Sequence, residues 1–399
     1  MEHGMASGTA EKRVLNVGVI GCGGIARNHV FSLSLIENNA RKIWTDPVGG
    51  AKIKVKLYAL ADIDDAALDG FASTFGVQKL FRGPRCGYDL IDDPDVHVIY
   101  VLVPTVDHLG YVLAAANNGK HVFCEKPTAF SPADVQQMID ARDANNVVIQ
   151  VGLVMRSAPQ IHYLRKLLGD NAESWGQPTN IIFRDSQQKP YLGSIEVHNS
   201  TWRGFQEKAH AGILFEHTIH DLDAMIMVFG EVEEVYAKVA YRDRPGIETS
   251  VAAVLTFKNG INLSVNSIWN DIDYSQRRME IFFENAWIHV TVDERAGGEG
   301  NPDKKLAVIQ IKHGNEPEQE MDDVVMDAWF REQIGFPDLH PEIPGPYYYE
   351  DVRFIDAIVH GTPSAVTLEH GKYVQTVIEA CYASAREARA IKIDDFVPQ

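Results

Sequence analysis

Val14-Leu15-Asn16-Val17-Gly18-Val19-Ile20-Gly21-Cys22-Gly23-Gly24-Ile25-Ala26 is an apolar run that meets glycines at once and then resumes as a helix-forming segment. A strand over 14–20, a turn, and a helix over 25–36 follow from it. The turn reads G-x-G-x-x-A. Its first glycine, Gly21, permits the tight turn. Gly23 lets the backbone approach a pyrophosphate, and the small Ala26 lets helix and strand pack closely. Cys22, Gly24 and Ile25 complete the loop, and the helix N-terminus offers free amides and a favourable dipole to phosphate. A glycine motif in this strand-turn-helix setting points to dinucleotide binding.

Working outward, strands over 54–61, 96–103, 121–124 and 147–152 alternate with helices over 65–75, 109–117 and 132–144. Such alternation builds an α/β unit, a doubly wound parallel sheet with helices on both faces. The second strand ends in Ala61-Asp62-Ile63-Asp64. An acid at that tip accepts from the adenosine ribose hydroxyls and repels a 2′-phosphate, which favours NAD over NADP. The other reading of Asp62 is a cap for the next helix. From Ala26 to Asp62 is 36 positions, against about 20 in the usual pattern. A polar, glycine-containing insertion over 37–53 accounts for the excess.

Beyond about residue 155 the pattern changes. A helix over 161–168, a strand over 179–184 and a helix over 213–229 lead into strands over 232–241, 250–257, 261–268, 278–283, 286–292 and 306–312. Asn259-Gly260 marks a tight hairpin, because a primed turn needs positive φ. Helices over 348–360 and 369–388 close the chain, and 296–304 and 336–347 read as loops. The organisation is a loose tail over 1–12, a nucleotide-binding unit over 13–152, and an α+β unit over 153–399 with a mostly antiparallel open sheet.

The chain has 399 residues, a net charge of -18, 45% hydrophobic and 23% charged residues, and four cysteines. That length suits two domains. The negative charge excludes nucleic acid as a partner, since phosphate binding needs Lys and Arg, and disfavours anionic membranes. No run reaches the roughly 20 apolar residues of a membrane helix. The cysteines have no metal-ligand spacing, so a reduced, cytoplasmic protein is expected.

Two further segments are informative. The third strand runs into Pro104-Thr105-Val106-Asp107-His108, and the fourth into Cys124-Glu125-Lys126-Pro127. With Val151-Gly152 and Arg156, with Trp202-Arg203 and Gly212, and with Glu216-His217-Thr218-Ile219-His220-Asp221-Leu222-Asp223, nearly the whole chain resembles the Gfo/Idh/MocA family of sugar and polyol oxidoreductases. The C-terminal Phe354-Ile355-Asp356-Ala357-Ile358 also fits. The resemblance implies an NAD-dependent dehydrogenase or reductase acting on a sugar, inositol or related polyol. It implies a cis bond before Pro127, and a homodimer or homotetramer built on the open sheet. Some relatives instead recycle a tightly held cofactor, acting on glycosides through a transient ketone. Others are non-catalytic regulators.

Removing hydride from a C–H carbon needs a proton acceptor and a group to hold the developing alkoxide. Lys126 lies past a strand's carboxyl end, where ligands bind in such sheets. Its ammonium suits the reacting oxygen, and the resemblance assigns it that role. Glu125 either orients Lys126 or contacts the nicotinamide ribose. Pro104, Thr105 and His108 are further cofactor candidates, with a helix start as the other reading of His108. Glu216, His220 and Asp223 stand at i, i+4 and i+7, on one helical face, beside an apolar stripe of Phe215, Ile219, Leu222 and Ile226. His220 suits the general base, with Glu216 assisting where the family usually has Asp. Asp223 is an orienting acid or a surface one. Arg156, Trp202, Arg203 and His217 are substrate-contact candidates, the first three alternatively interface packing. His217, His220 and Asp221 lack a matching acid cluster, so no metal is expected.

Overall fold

The computed structural model describes residues 13–38, 44–48, 50–192, 200–272, 274–293, 305–334 and 345–398. The expected tail over 1–12 lies outside them, as do most of the loops over 296–304 and 336–347 and part of the 37–53 insertion.

The first sheet is built from β1 (Arg13–Ile20), β2 (Trp44–Thr45), β3 (Lys52–Asp62), β4 (Lys79–Arg82), β5 (Val98–Val101), β6 (His121–Glu125) and β7 (Ile149–Gly152). Its order is β2-β3-β1-β5-β6-β7, with β4 also on β3. All pairs are parallel except β2 with β3. β5 and β7 are buried at every position, which is why they read as continuous apolar runs rather than alternating ones. The helices have local causes. Asp64 caps the helix Asp65–Phe75 by accepting from the amides of Ala66 and Ala67, and Gly76 ends it at φ 71°. Ser131 caps Pro132–Asn145, with proline at the helix start, and Asn146 closes it in the left-handed region. These are the side-chain acceptors and left-handed stops that free helix ends require. The insertion contributes β2, whose Trp44 indole donates to Asp356 at 2.5 Å.

The second sheet contains β8 (Pro178–Gln188), β9 (Val232–Ala240), β10 (Ser250–Phe257), β11 (Asn262–Asn270), β12 (Gln276–Phe283), β13 (Ala286–Asp293), β14 (Ala307–His313), β15 (Gln319–Asp322) and β16 (Ile391–Lys392). It runs β15-β14-β13-β12-β8-β11-β10-β9-β16. β10 and β11 form the expected hairpin, but not through a two-residue primed turn: Gly260 takes φ 87° while Asn259 does not adopt positive φ, and Phe257 pairs with Ile261 around a three-residue loop. Only β8 with β11 is parallel, because β8 enters from the first unit and slots between two hairpins. Residues alternate strictly in β10 and β11, so one face packs on helices and the other is open. Ile182 on β8, Tyr236 on β9 and Val254 on β10 lie exposed on that open face.

The C-terminal helices do not stay with the second sheet. Gly345–His360 packs on Gly24–Asn38 of the first unit, contributing Tyr348, Tyr349, Val352, Phe354 and Ile355 to its core. Leu368–Glu387 lies between Pro132–Asn145 and β9, and its buried face joins the two sheets into one continuous core. Each such side chain taken fully out of water stabilises by about 1.5–3 kcal/mol. This shared helix fixes the two sheets against each other.

Candidate active site

At the end of β1, Gly21 takes φ 99°, and a Cβ there would come within 2.6 Å of the Leu102 carbonyl oxygen. Above Gly23 a Cβ would meet nothing within 4 Å. Ala26 beneath is fully buried. The helix Gly24–Asn38 has no acid in its first turn, so its positive pole is uncompensated. Asp62 accepts from the Cys22 amide at 2.5 Å and from the Asp64 amide at 2.8 Å. The helix cap is Asp64, which removes the capping alternative for Asp62. Ile63 beside it is 75% exposed and offers an apolar surface to a flat base. A backbone cradle open above Gly23, a helix pole and a carboxylate at the β3 tip fit an adenine dinucleotide.

Lys126 follows β6, and the Lys126-Pro127 bond is cis. Its ammonium donates to the Glu216 backbone carbonyl at 2.6 Å. Burial, then the charge of Arg203, brings the lysine down to about 8, against the pull of Glu216 and Glu125. Glu125 accepts from the Lys126 amide through one oxygen, at 2.9 Å, and meets His29 with the other, at 3.1 Å. Of its two expected roles, orienting Lys126 is the one this geometry supports.

The segment expected as one helix over 213–229 is a π-helical turn, Leu214–Thr218, followed by the α-helix Ile219–Phe229. A π turn inserts about one residue, and such turns recur at functional sites. Phe215, Ile219 and Leu222 are buried as expected. The charged residues do not form one cleft-facing row. Glu216 is 1% exposed; Arg203 donates to it at 2.8 Å and Thr105 at 3.4 Å. Its longer side chain therefore spans the two units. Arg203 also stacks over Trp202, with its guanidinium 4.3 Å from the ring centre. His220 is buried, and among the described residues its Nδ1 has no hydrogen-bond partner. Burial, then the charges of Lys126, His217, Arg277 and Arg203, pushes its pKa well below the usual histidine value. It is a neutral imidazole beside an ammonium.

Three candidate residues, Arg156, Asp223 and His108, are engaged within the protein, Arg156 as in its alternative reading, whereas His217 keeps its place at the site. Arg156 and Asp223 do not present free groups to a substrate, because they bind each other at 2.6 and 2.7 Å in a buried two-point pair. His108 is buried, with its ring nitrogens on the Pro127 and Val103 carbonyls at 2.8 and 2.9 Å. It clips the Lys126 turn to the end of β5 and has nothing left to offer a cofactor. His217 is held by Asp185 at 2.9 Å, and Arg277 lies 3.2 Å from its Nε2. It still lines the site, with a fifth of its side chain exposed.

Sequence reasoning missed Asp185, Arg277, Glu248 and His29. Asp185 continues the inward row of Ile181 and Phe183 on β8, and Arg277 that of Met279 and Ile281 on β12. A charge on the inward face of a strand was the available signal. Glu248 accepts from the Gly212 and Leu214 amides and from Tyr382 at 2.5, 3.0 and 2.8 Å, and so holds the start of the π turn. Gly212 is required there, since a Cβ would collide with the Glu248 backbone. Asp185, His217 and Asp221 bring three potential metal-ligand atoms within 4.8 Å of one another. Arg277 already donates to Asp221 at 3.0 Å and lies against His217, so a guanidinium supplies the positive charge a cation would.

Residues 15–153 match the family model described as "Oxidoreductase family, NAD-binding Rossmann fold", and residues 162–289 match "GFO/IDH/MocA C-terminal domain". A myo-inositol 2-dehydrogenase of Thermotoga maritima is 26% identical over 96% of this chain and 100% of its own length. A levoglucosan dehydrogenase of Pseudarthrobacter phenanthrenivorans is 28% identical over 56% of this chain and 53% of its own. Among solved structures, a levoglucosan dehydrogenase in complex with NADH and levoglucosan superposes with a TM-score of 0.75 at 20% identity, covering 96% of this chain and 100% of that one. An aldose-aldose oxidoreductase from Caulobacter crescentus gives 0.73 at 21%, covering 95% and 100%.

Proposed function

The chain belongs to the Gfo/Idh/MocA family of oxidoreductases with an NAD-binding Rossmann unit, and from that premise we propose that it exchanges a hydride between NAD and a hydroxyl-bearing carbon of a sugar, an inositol or a related polyol or glycoside. The observation that carries this reading is the meeting of two proton-transfer groups at Glu216: Lys126, whose ammonium donates to its backbone carbonyl at 2.6 Å, and the buried His220 four residues on, whose Nδ1 has no hydrogen-bond partner among the described residues. Bound NAD supplies the hydride acceptor. Gly21, Cys22, Gly23, Gly24 and Asp62 hold it. The Lys126 ammonium donates to the reacting oxygen as negative charge develops there. His220, kept neutral by its surroundings, takes the hydroxyl proton. Glu216 holds Arg203, and both shape the wall opposite Thr105. Trp202, Arg203 and His217 are the substrate contacts in this reading. Arg156 and Asp223 instead brace the junction.

The nucleotide-binding unit covers 13–152, and the remainder supplies the substrate wall. The open face carrying Ile182, Tyr236 and Val254 joins copies of the chain into a dimer or tetramer. A cytoplasmic location is consistent with four buried free cysteines, and no helix among the described residues is long and apolar enough to cross a membrane. The test is NADH formation with a panel of sugars, inositols and glycosides, on wild type and Lys126→Ala. Turnover lost in the variant with NAD binding retained supports the reading. No turnover on any substrate, despite tight NAD binding, would replace it with internal cofactor recycling or a regulatory role.

A further inference from the structure

His29 lies on the helix Gly24–Asn38, just past the dinucleotide loop, and is 0% exposed. Its Nδ1 meets Asp351 at 2.9 Å and its Nε2 meets Glu125 at 3.1 Å. Burial raises the Asp351 carboxyl against the pull of His29; with both carboxylates ionised they only accept, so both ring nitrogens donate and the ring is an imidazolium. The rings of Tyr100, Phe123 and Tyr347 surround it, with centres 4.7 to 5.7 Å away. Burial alone would lower its pKa, but Asp351 and Glu125 outweigh it and hold the histidine at about 10. Glu350 and the Tyr100 hydroxyl are the other titratable groups at this network. Burial pushes both above their usual values.

Replacing such a buried ionic cluster by apolar side chains is often neutral or stabilising, so stability alone gives little reason for it. Its geometry gives another. The second oxygen of Glu125 receives the Lys126 amide, and Gly152 leaves the room Glu125 needs, since a Cβ there would lie 3.0 Å from the carboxylate. Three parts of the chain thus meet behind one lysine: the helix that receives the pyrophosphate, the strand end that carries Lys126, and the helix Gly345–His360.

We propose that His29 is a positioning residue for Lys126, gripping Glu125 from behind while Asp351 anchors it, so that Glu125 fixes the backbone of the reacting lysine. This rests on the reading of Lys126 given above. A lysine displaced by about 1 Å can cost roughly a hundredfold in rate.

The test compares wild type, His29→Phe, His29→Gln and Asp351→Asn. Two readouts are independent of turnover. One is NADH affinity by fluorescence. The other is the titration of Lys126 by NMR after 13C reductive methylation, its signal assigned by its loss in Lys126→Arg. In His29→Phe the freed Glu125 carboxylate swings towards the ammonium, so Lys126 is expected to titrate upward from about 8. NADH affinity should stay within about threefold, and kcat should fall roughly ten- to a hundredfold with little change in KM. His29→Gln, which restores a donor to Glu125, should recover part of both. Asp351→Asn tests the anchor should His29→Phe not fold. An unmoved Lys126 titration in folded variants would overturn the proposal, as would a loss of kcat matched by an equal loss of NADH affinity. If wild type turns over no sugar yet Lys126 moves as described, the positioning link stands and the substrate reading is what fails.

Discussion

The ammonium of Lys126 donates to the backbone carbonyl of Glu216 at 2.6 Å. This joins the end of β6 in the first unit to the π turn of the second. In the proposed reading the reacting oxygen of a substrate meets this ammonium. Removing the side chain deletes the donor without disturbing the cradle at Gly21 and Gly23. Lys126→Ala should lower kcat/KM by about 10²–10⁴-fold, with NAD affinity retained, as read by NADH absorbance and a binding titration.

The pH dependence follows from two opposite requirements. The protonated lysine is the active form, and it sits at about 8. Activity should therefore fall as pH rises through 8. The neutral histidine is the active form, and the His220 pKa is held well below its ordinary value. Activity should therefore persist as pH falls through 6.5, where a free histidine would already be charging. A kcat/KM profile flat from about pH 6.5 to 7.5 with a decline above 8 is expected. A break at 6.5 would show that a group other than His220 takes the proton.

Much of this was legible because local rules and the fold agree. The apolar run over 14–20 and its glycines place β1, and Asn259-Gly260 places the β10–β11 hairpin, since few residues other than glycine accept the positive φ in its loop. β4, at four residues, and the helix Cys86–Ile91 are too short for a periodic signal. The π turn cannot be read from spacing, because i, i+4 and i+7 assume the α-helical period it breaks. What Arg156 and Asp223 do depends on their meeting across 67 positions, and no local pattern records that. That Asp62 ends β3 and Lys126 follows β6 was readable from their motifs. Chemistry carried by packing, as at His29, Asp185, Arg277 and Glu248, was not.

The Arg156–Asp223 pair yields a separation of stability from function. Its two bonds are buried, and burial itself pushes Asp223 up against the lowering effect of Arg156. Removing either partner leaves an uncompensated buried charge and should cost about 3–5 kcal/mol. Arg156→Ala and Asp223→Ala should each lower the free energy of urea unfolding by that amount and leave KM nearly unchanged in the folded fraction. A large rise in KM without loss of stability would return these residues to the substrate.

Asp62 gives the last prediction. Its carboxylate holds the Cys22 amide and lies at the β3 tip beside exposed Ile63. In the proposed reading it meets the ribose hydroxyls of NAD there and opposes a 2′-phosphate. Hydrogen bonds to a charged group contribute about 1.5–3 kcal/mol, so Asp62→Ala should weaken NAD by roughly ten- to a hundredfold. The same change removes the repulsion toward NADP, whose affinity should fall far less or rise. Asp62→Asn keeps an acceptor for Cys22 without the charge. It should therefore separate the loop contact from cofactor choice, recovering loop stability but not the preference for NAD. The ratio of kcat/KM for NAD over NADP in the three proteins reads this directly. An unchanged ratio in Asp62→Asn would mean that the carboxylate serves only the Cys22 loop.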